Sequence, residues 1–230
     1  YQQYRLKQVS PKGPVKPATV NRETALLSGA ISYARTELDW GIPNPVIGRA
    51  LAEPEGRDRH LSFAQLTTLI RAARSKYLYL ADFIELAVQT GCRKQELLGL
   101  EWRNVDFDNN LILLEKTKNG TRRSVHLNSV SRAVLIRRMG VRAEVCPDTP
   151  WVFFHIRRTR NREIGDQITD VKRSIKTAAE RAGLDGVTFH TLRHTCASWL
   201  AQQGVASLTI RDVLGHASVK MTDRYMHSER

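Results

Sequence analysis

Leu111-Ile112-Leu113-Leu114-Glu115-Lys116-Thr117-Lys118-Asn119-Gly120-Thr121-Arg122-Arg123-Ser124-Val125-His126-Leu127 is where the pattern of this chain changes. On either side of it, apolar residues recur at helical spacing. Here two short runs, Leu111 to Glu115 and Arg122 to Leu127, flank Lys118-Asn119-Gly120. Asn-Gly tolerates the left-handed backbone of a tight turn, so the stretch predicts a β-hairpin with Lys118 at its tip. Trp102 to Phe107 is a candidate edge strand.

Working outward towards the N-terminus, a short helix is expected over about Lys94 to Leu100. Another carries Leu80, Phe83, Ile84 and Ala87 and stops at Gly91. Ser62-Phe63-Ala64-Gln65 has the form of a capping box ahead of Phe63, Leu66, Leu69, Ile70 and Ala73. On the other side, helix returns past Asn128, followed by irregular sequence from about Cys146 to Asp166. Thr169 to Ala182 shows a stripe of Val171, Ile175, Ala178, Ala179 and Ala182, closed by Gly183. His190 to Gln203 places Leu192, Cys196, Trp199 and Leu200 inward, and two short helices follow, one ending at Gly215 and one starting after Ser218. The expected class is mainly α with one small antiparallel sheet (α+β).

Residues 1–17 hold Pro11, Pro14 and Pro17 and are expected to be irregular. Thr19 to Asp39 predicts a helix with Val20, Leu27, Ile31, Ala34 and Leu38 on one face, ended by Gly41, Pro43 and Pro45. One amphipathic helix cannot bury its stripe alone, so residues 1–52 read as part of a helical domain whose earlier helices are absent. Gly48 to His60 is charged and turn-rich, an expected linker centred on residues 53–60, with the main domain over residues 61–230.

Lys and Arg total 36 against 23 Asp and Glu, a formal charge of +13. Such an excess suits a polyanion, because each cation laid on a phosphate releases condensed counterions; a solvated basic surface is the plainer reading. The longest apolar runs, Leu111 to Leu114 and Trp151 to Phe154, are far too short to cross a membrane. No signal peptide is visible, and the chain opens on Tyr1, which reads as a piece of a longer protein. Cys92, Cys146 and Cys196 are scattered and form no Cys-x-x-Cys pair, so a reducing, cytoplasmic setting is expected. His190 and His194 have a spacing that can hold zinc, but no carboxylate follows His190 and no third ligand stands out. No metal site is therefore expected.

Two short stretches near the end carry the chemistry: His190-Thr191-Leu192-Arg193, and Leu214-Gly215-His216 followed nine residues later by Tyr225. Upstream stand Arg93 with Glu96, and Lys118. Breaking a phosphodiester without a metal takes an activated nucleophile, cations on the phosphoryl oxygens and a proton for the departing oxygen. Arginine suits the second task, since its fork donates two parallel hydrogen bonds and keeps its charge. Histidine transfers protons near neutral pH, and neighbouring cations lower the pKa of a lysine acid or a tyrosine nucleophile. Each residue also has an ordinary use. His190 and Arg193 sit together on a helix face beside the apolar stripe, either solvated or aimed into a cleft. His216 ends a helix, Tyr225 can simply pack, and Glu96 can pair with Arg93 on the surface.

The order Thr90-Gly91-Cys92-Arg93-Lys94-Gln95-Glu96-Leu97, Thr117-Lys118-Asn119-Gly120, His190-Thr191-Leu192-Arg193-His194, Leu214-Gly215-His216 and Tyr225 resembles the tyrosine recombinase (phage integrase) family over nearly all of residues 60–227. The resemblance implies that Arg93 and Arg193 clamp a scissile DNA phosphate, Lys118 protonates the leaving 5′-oxygen, and Tyr225 becomes joined to the 3′-phosphate. It makes His190 an acid/base towards the tyrosine, His216 a donor to the phosphate and Glu96 the supporting acid. Residues 19–46 look like the end of the family's core-binding domain. It also implies double-stranded DNA as partner, a homo-tetramer on DNA when full length, accessory DNA-bending proteins, residence at the nucleoid, and no cofactor. A type IB topoisomerase-like relaxer and a non-catalytic basic DNA-binding regulator are the competing readings.

Overall fold

The computed structural model describes the chain except Lys12, residues 55–58 and 115–121, Ala217, Val219, Arg224 and residues 226–230, and except the side chains of Lys220 and Asp223. The expected turn at Lys118-Asn119-Gly120, the strand end at Glu115 and the middle of the expected linker lie outside the described residues. The chain divides into two compact units, Tyr1–Arg57 and Asp58–Arg230.

In the first unit, α1 (Gln2–Leu6) leads into a small hairpin, β1 (Val9–Ser10) antiparallel to β2 (Gly13–Pro14), and then α2 (Pro17–Glu37). Most of the described residues among 1–17 thus lie in short regular elements, and two of the prolines show why the expectation fails. Pro17 sits at the start of α2, where a missing N–H costs no hydrogen bond, and Pro14 lies in a two-residue strand. The expected stripe of α2 is also corrected. Val20, Thr24 and Ala34 are buried, whereas Leu27 and Leu38 are each 51% exposed. The Asn21 side chain donates to Leu51 O (2.9 Å) and accepts from Leu51 N (2.8 Å), so the chain is packed on α2 as far as Leu51.

The second unit comprises α3 (Phe63–Arg74), α4 (Leu78–Thr90), α5 (Lys94–Leu98), β3 (Val105–Asp106), β4 (Leu111–Leu114), β5 (Arg123–His126), α6 (Ser129–Val145), α7 (Lys172–Arg181), α8 (Phe189–Gln202), α9 (Ser207–Leu214) and α10 (Lys220–Asp223). The capping box is formed: Ser62 Oγ accepts from Gln65 N, and Gln65 Oε1 accepts from Ser62 N. Helix α4 packs against α3, α6 and α8 and is apolar nearly all round. Its Leu80, Phe83, Ile84, Leu86 and Ala87 are wholly buried, and the larger of these side chains each stabilise the fold by about 1.5–3 kcal/mol. Phe83 meets Phe153 edge-on at 5.1 Å. Leu61 starts the unit against α8: its N–H donates to Thr195 Oγ1 (2.9 Å), and its carbonyl accepts from Trp199 Nε1 (3.1 Å).

The sheet has the order β3-β4-β5, antiparallel throughout, with Ile112 opposite Val125. Ile112, Leu114 and Val125 face the core while Leu113 and Ser124 face out, the alternation of a half-buried sheet. The edge strand is shorter than expected, because Trp102–Asn104 is a 3-10 turn. Trp102 N donates instead to Pro150 O, and Glu101 bridges to Trp151. Helix α7 begins at Lys172 rather than Thr169. Ile175, Ala178 and Ala179 form its buried stripe, with Ala182 only partly covered.

Candidate active site

The site is built on the end of α9. Gly215 adopts the left-handed conformation (φ 64°), which closes a Schellman turn: His216 N donates to Arg211 O and Gly215 N to Asp212 O. Three further carbonyls at this end point away from the helix. Each is taken by a different arginine: Val213 O by Arg123 Nη1, Leu214 O by Arg193 Nη2 (2.6 Å), and Gly215 O by Arg93 Nη2. Orphan carbonyls carry the negative end of the helix dipole, so cations are their natural partners.

The arginines come from three elements. Arg93 stands immediately before α5, Arg123 on β5 and Arg193 on α8. Arg193 also donates from Nη1 to Gly91 O (2.5 Å), placing it between the ends of α4 and α9. Gly91 has φ 60°, and a Cβ there would lie 2.5 Å from Leu214 Cδ2 and 3.0 Å from Cys196 Sγ. The close approach of these helix ends makes the pocket for Arg193. At 8% exposure the side chain is buried and lines a cleft, the second of the two alternatives left open by its place beside the apolar stripe. Two helix termini replace the water it loses. Burial, then the charges of Arg93 and Arg123, lower its pKa to about 10.

Glu96 links this cluster. Its Oε1 accepts from Arg93 Nη1 (2.9 Å), and its Oε2 accepts from Arg93 N (2.7 Å) and Arg123 Nη2 (2.6 Å). Burial pushes the carboxyl up, but the Arg123 charge and these hydrogen bonds outweigh it and hold Glu96 below the usual range. Two guanidinium groups thus share one carboxylate, with that of Arg193 held beside them by backbone carbonyls alone, so the cluster carries excess positive charge.

Tyr225 stands beside this cluster. Its ring is 4% exposed and packs with Cys196, Ala197, Ile210 and Leu214 between α8 and α9. Its hydroxyl lies 2.5 Å from His194 Nδ1, either group donating according to the imidazole tautomer. His216 stacks on the tyrosine ring at 6.4 Å between centroids, and its Nδ1 lies 2.9 Å from Thr222 Oγ1. His190, one turn before His194, is exposed. Arg93, Glu96, His190, Arg193, His216 and Tyr225 all line one cleft of about 610 Å³, together with His194. Lys118 lies outside the described residues. Among the described residues, no group of three or more His, Cys, Asp or Glu is placed to hold a metal ion, and no helix is long and apolar enough to cross a membrane.

Sequence alone does not single out His194, which lines the cleft, or Arg123, which stands behind it on Glu96 and the Val213 carbonyl. His194 was visible as the residue after Arg193, four beyond His190, but that spacing drew attention as a zinc pattern. Arg123 was indistinguishable from Arg122 as a hairpin arginine, since strand alternation alone decides which of them faces inward.

The phage integrase family model matches residues 59–230. The chain belongs to the phage integrase family. This family member is similar to the shufflon-specific DNA recombinase of Escherichia coli, 31% identical over 234 residues covering 99% of this chain and 56% of that protein. It is also 30% identical to the integrase of Salmonella phage P22 over 222 residues, covering 92% of this chain and 55% of that protein. The chain spans about half the length of these curated relatives. In fold it resembles the Tn1549 transposon integrase in complex with circular intermediate DNA, with a TM-score of 0.78 at 20% identity, covering 100% of this chain and 80% of that one. A lambda integrase dimer bound to a COC′ core site gives a TM-score of 0.73 at 22% identity, covering 93% and 75%.

Proposed function

We propose that this chain is the catalytic part of a site-specific DNA recombinase, which cuts and rejoins duplex DNA through a covalent 3′-phosphotyrosyl link. The observation that supports it best is the arginine-capped end of α9 beside the Tyr225 hydroxyl. Arg93 and Arg193 offset charge on the non-bridging oxygens as the phosphorane forms, and a prebuilt clamp of this kind acts most strongly in the transition state. Tyr225 Oη attacks phosphorus and the bond to O5′ breaks. The phenol proton passes to an imidazole: His194 stands on the hydroxyl, and His190 lines the same cleft. Lys118 supplies the proton that O5′ needs, and His216 donates to the phosphate.

The phosphotyrosyl diester conserves the energy of the broken bond, so a 5′-hydroxyl reseals it in the reverse step without ATP. Residues 61–230 form the catalytic domain in this reading. The first 52 residues belong to a DNA-binding domain, and the full-length protein works as a tetramer on DNA, helped by accessory bending proteins.

A nicked suicide duplex built from the repeats flanking the gene tests this. Wild type becomes covalently attached to it. Tyr225→Phe binds the same duplex without attaching. Equal behaviour of the two proteins, whether attachment by both or by neither, rejects the reading.

A further inference from the structure

Arg123 projects from β5 and bridges two parts of the cluster. Its Nη2 holds Glu96 at 2.6 Å, and its Nη1 holds the carbonyl of Val213. The side chain is 11% exposed, and Nε is buried with no acceptor among the described residues. Gly215 lies so close that an added Cβ would come within 2.8 Å of Nε and 2.9 Å of Cδ. A guanidinium packed this tightly has little freedom to turn, and giving up its hydration is costly unless its partners replace it.

Charge pairing alone does not account for it. Arg93 already binds Glu96 through both its guanidinium and its backbone N–H. A further cation adds repulsion, and Arg123 is among the causes, after burial and Arg93, that lower the Arg193 pKa. What Arg123 adds is a rigid fork spanning α5 and the end of α9. We infer that Arg123 is a positioning residue for strand cleavage. It fixes Glu96, which orients Arg93, and it fixes the end of α9, which carries His216. A lysine has a single point donor and cannot span both acceptors. This inference rests on the function proposed above.

The test compares wild type, Arg123→Ala and Arg123→Lys in the full-length protein, on nicked duplexes with either a normal scissile phosphate or a neutral methylphosphonate. Circular dichroism and thermal melting establish that each variant is folded. If Arg123→Ala does not fold, Arg123→Lys alone carries the comparison. Strand cleavage by Arg123→Ala is expected to slow about 10–100-fold, the range typical of a group that orients another, without a matching loss of DNA affinity. Arg123→Lys keeps the charge and recovers only part of the rate. The defect shrinks on the methylphosphonate, because less charge then has to be offset by a well-placed Arg93.

Wild-type cleavage rates in both variants would overturn the inference while leaving the recombinase reading intact. So would an equal loss on both substrates, which marks a general structural role, or an affinity loss that accounts for the whole defect, which marks a plain phosphate contact. Failure of wild type to attach to DNA would reject the recombinase reading itself.

Discussion

Arg93, Arg123 and Arg193 are fixed by the carbonyls of Gly91, Val213, Leu214 and Gly215 and by the Glu96 carboxylate. In the same cleft, Tyr225 is held by apolar packing on Cys196, Ala197, Ile210 and Leu214, by its hydroxyl contact to His194 and by ring contacts with His194 and His216. The charged side is thus cross-linked through four helices and a strand, while the tyrosine belongs to the segment after α9. The difference fits the roles proposed for the two sides, the arginines as transition-state donors and Tyr225 as the nucleophile. Donors that act on charge developing in a transition state are effective when they need no reorganisation. A nucleophile has to move onto phosphorus and away again.

Among changes that leave the Tyr225 hydroxyl in place, breaking the charged side has the largest effect. Arg193→Ala is expected to slow strand cleavage by about 10²–10³, the usual cost of a lost transition-state donor, as read by single-turnover assays on nicked DNA. A near wild-type rate would remove Arg193 from the clamp. Glu96→Gln leaves Arg93 and Arg123 without their carboxylate and is expected to cost about 3 kcal/mol of stability in urea unfolding at pH 7. Because the folded pKa of Glu96 is lowered, its contribution is complete above the ordinary glutamate value of 4.5 and disappears as pH falls through the folded value. The gap between wild type and Glu96→Gln therefore closes in acid, and a gap that widens there contradicts the assignment.

Gly215→Ala tests the backbone that presents the carbonyls. A left-handed alanine costs about 1–2 kcal/mol, and the new Cβ also presses on Arg123. Unfolding and cleavage should both suffer; an unchanged melting temperature would show that the turn is not held as described. The smallest effect is expected on the tyrosine side. His194→Phe keeps a ring but loses the hydroxyl contact, worth about 0.5–1.5 kcal/mol; with His190 still in the cleft to take the phenol proton, cleavage should fall by up to about tenfold with DNA affinity unchanged. A loss as large as that of Arg193→Ala would show the tyrosine side to be as demanding as the charged one.

Much of this was legible because it is local. Ser62 with Gln65, the glycines after α4 and α9, and the short runs on either side of Lys118-Asn119-Gly120 each announce an element through its own backbone chemistry. Arg93, Arg193, His216 and Tyr225 are singled out differently, by the order of motifs that carries the family resemblance, and the structure brings all four to one cleft. What escaped depends on tertiary contacts. Leu27 and Leu38 satisfied helical spacing yet face outward, and Trp102 gave its backbone N–H to Pro150 rather than to the sheet. The burial of Arg193 required the ends of α4 and α9 to meet, and Arg123 acquired its place only through the approach of Gly215. No periodicity encodes such meetings.

The most direct test is the chemical identity of the DNA adduct. Protein attached to a nicked duplex is digested with nuclease and trypsin, and the nucleotide-bearing peptide is sequenced by mass spectrometry. The nucleotide is predicted on Tyr225, in the fragment of residues 225–230, joined through a 3′-phosphate. Attachment to any other residue, or cut DNA with free ends and no adduct, would contradict the account.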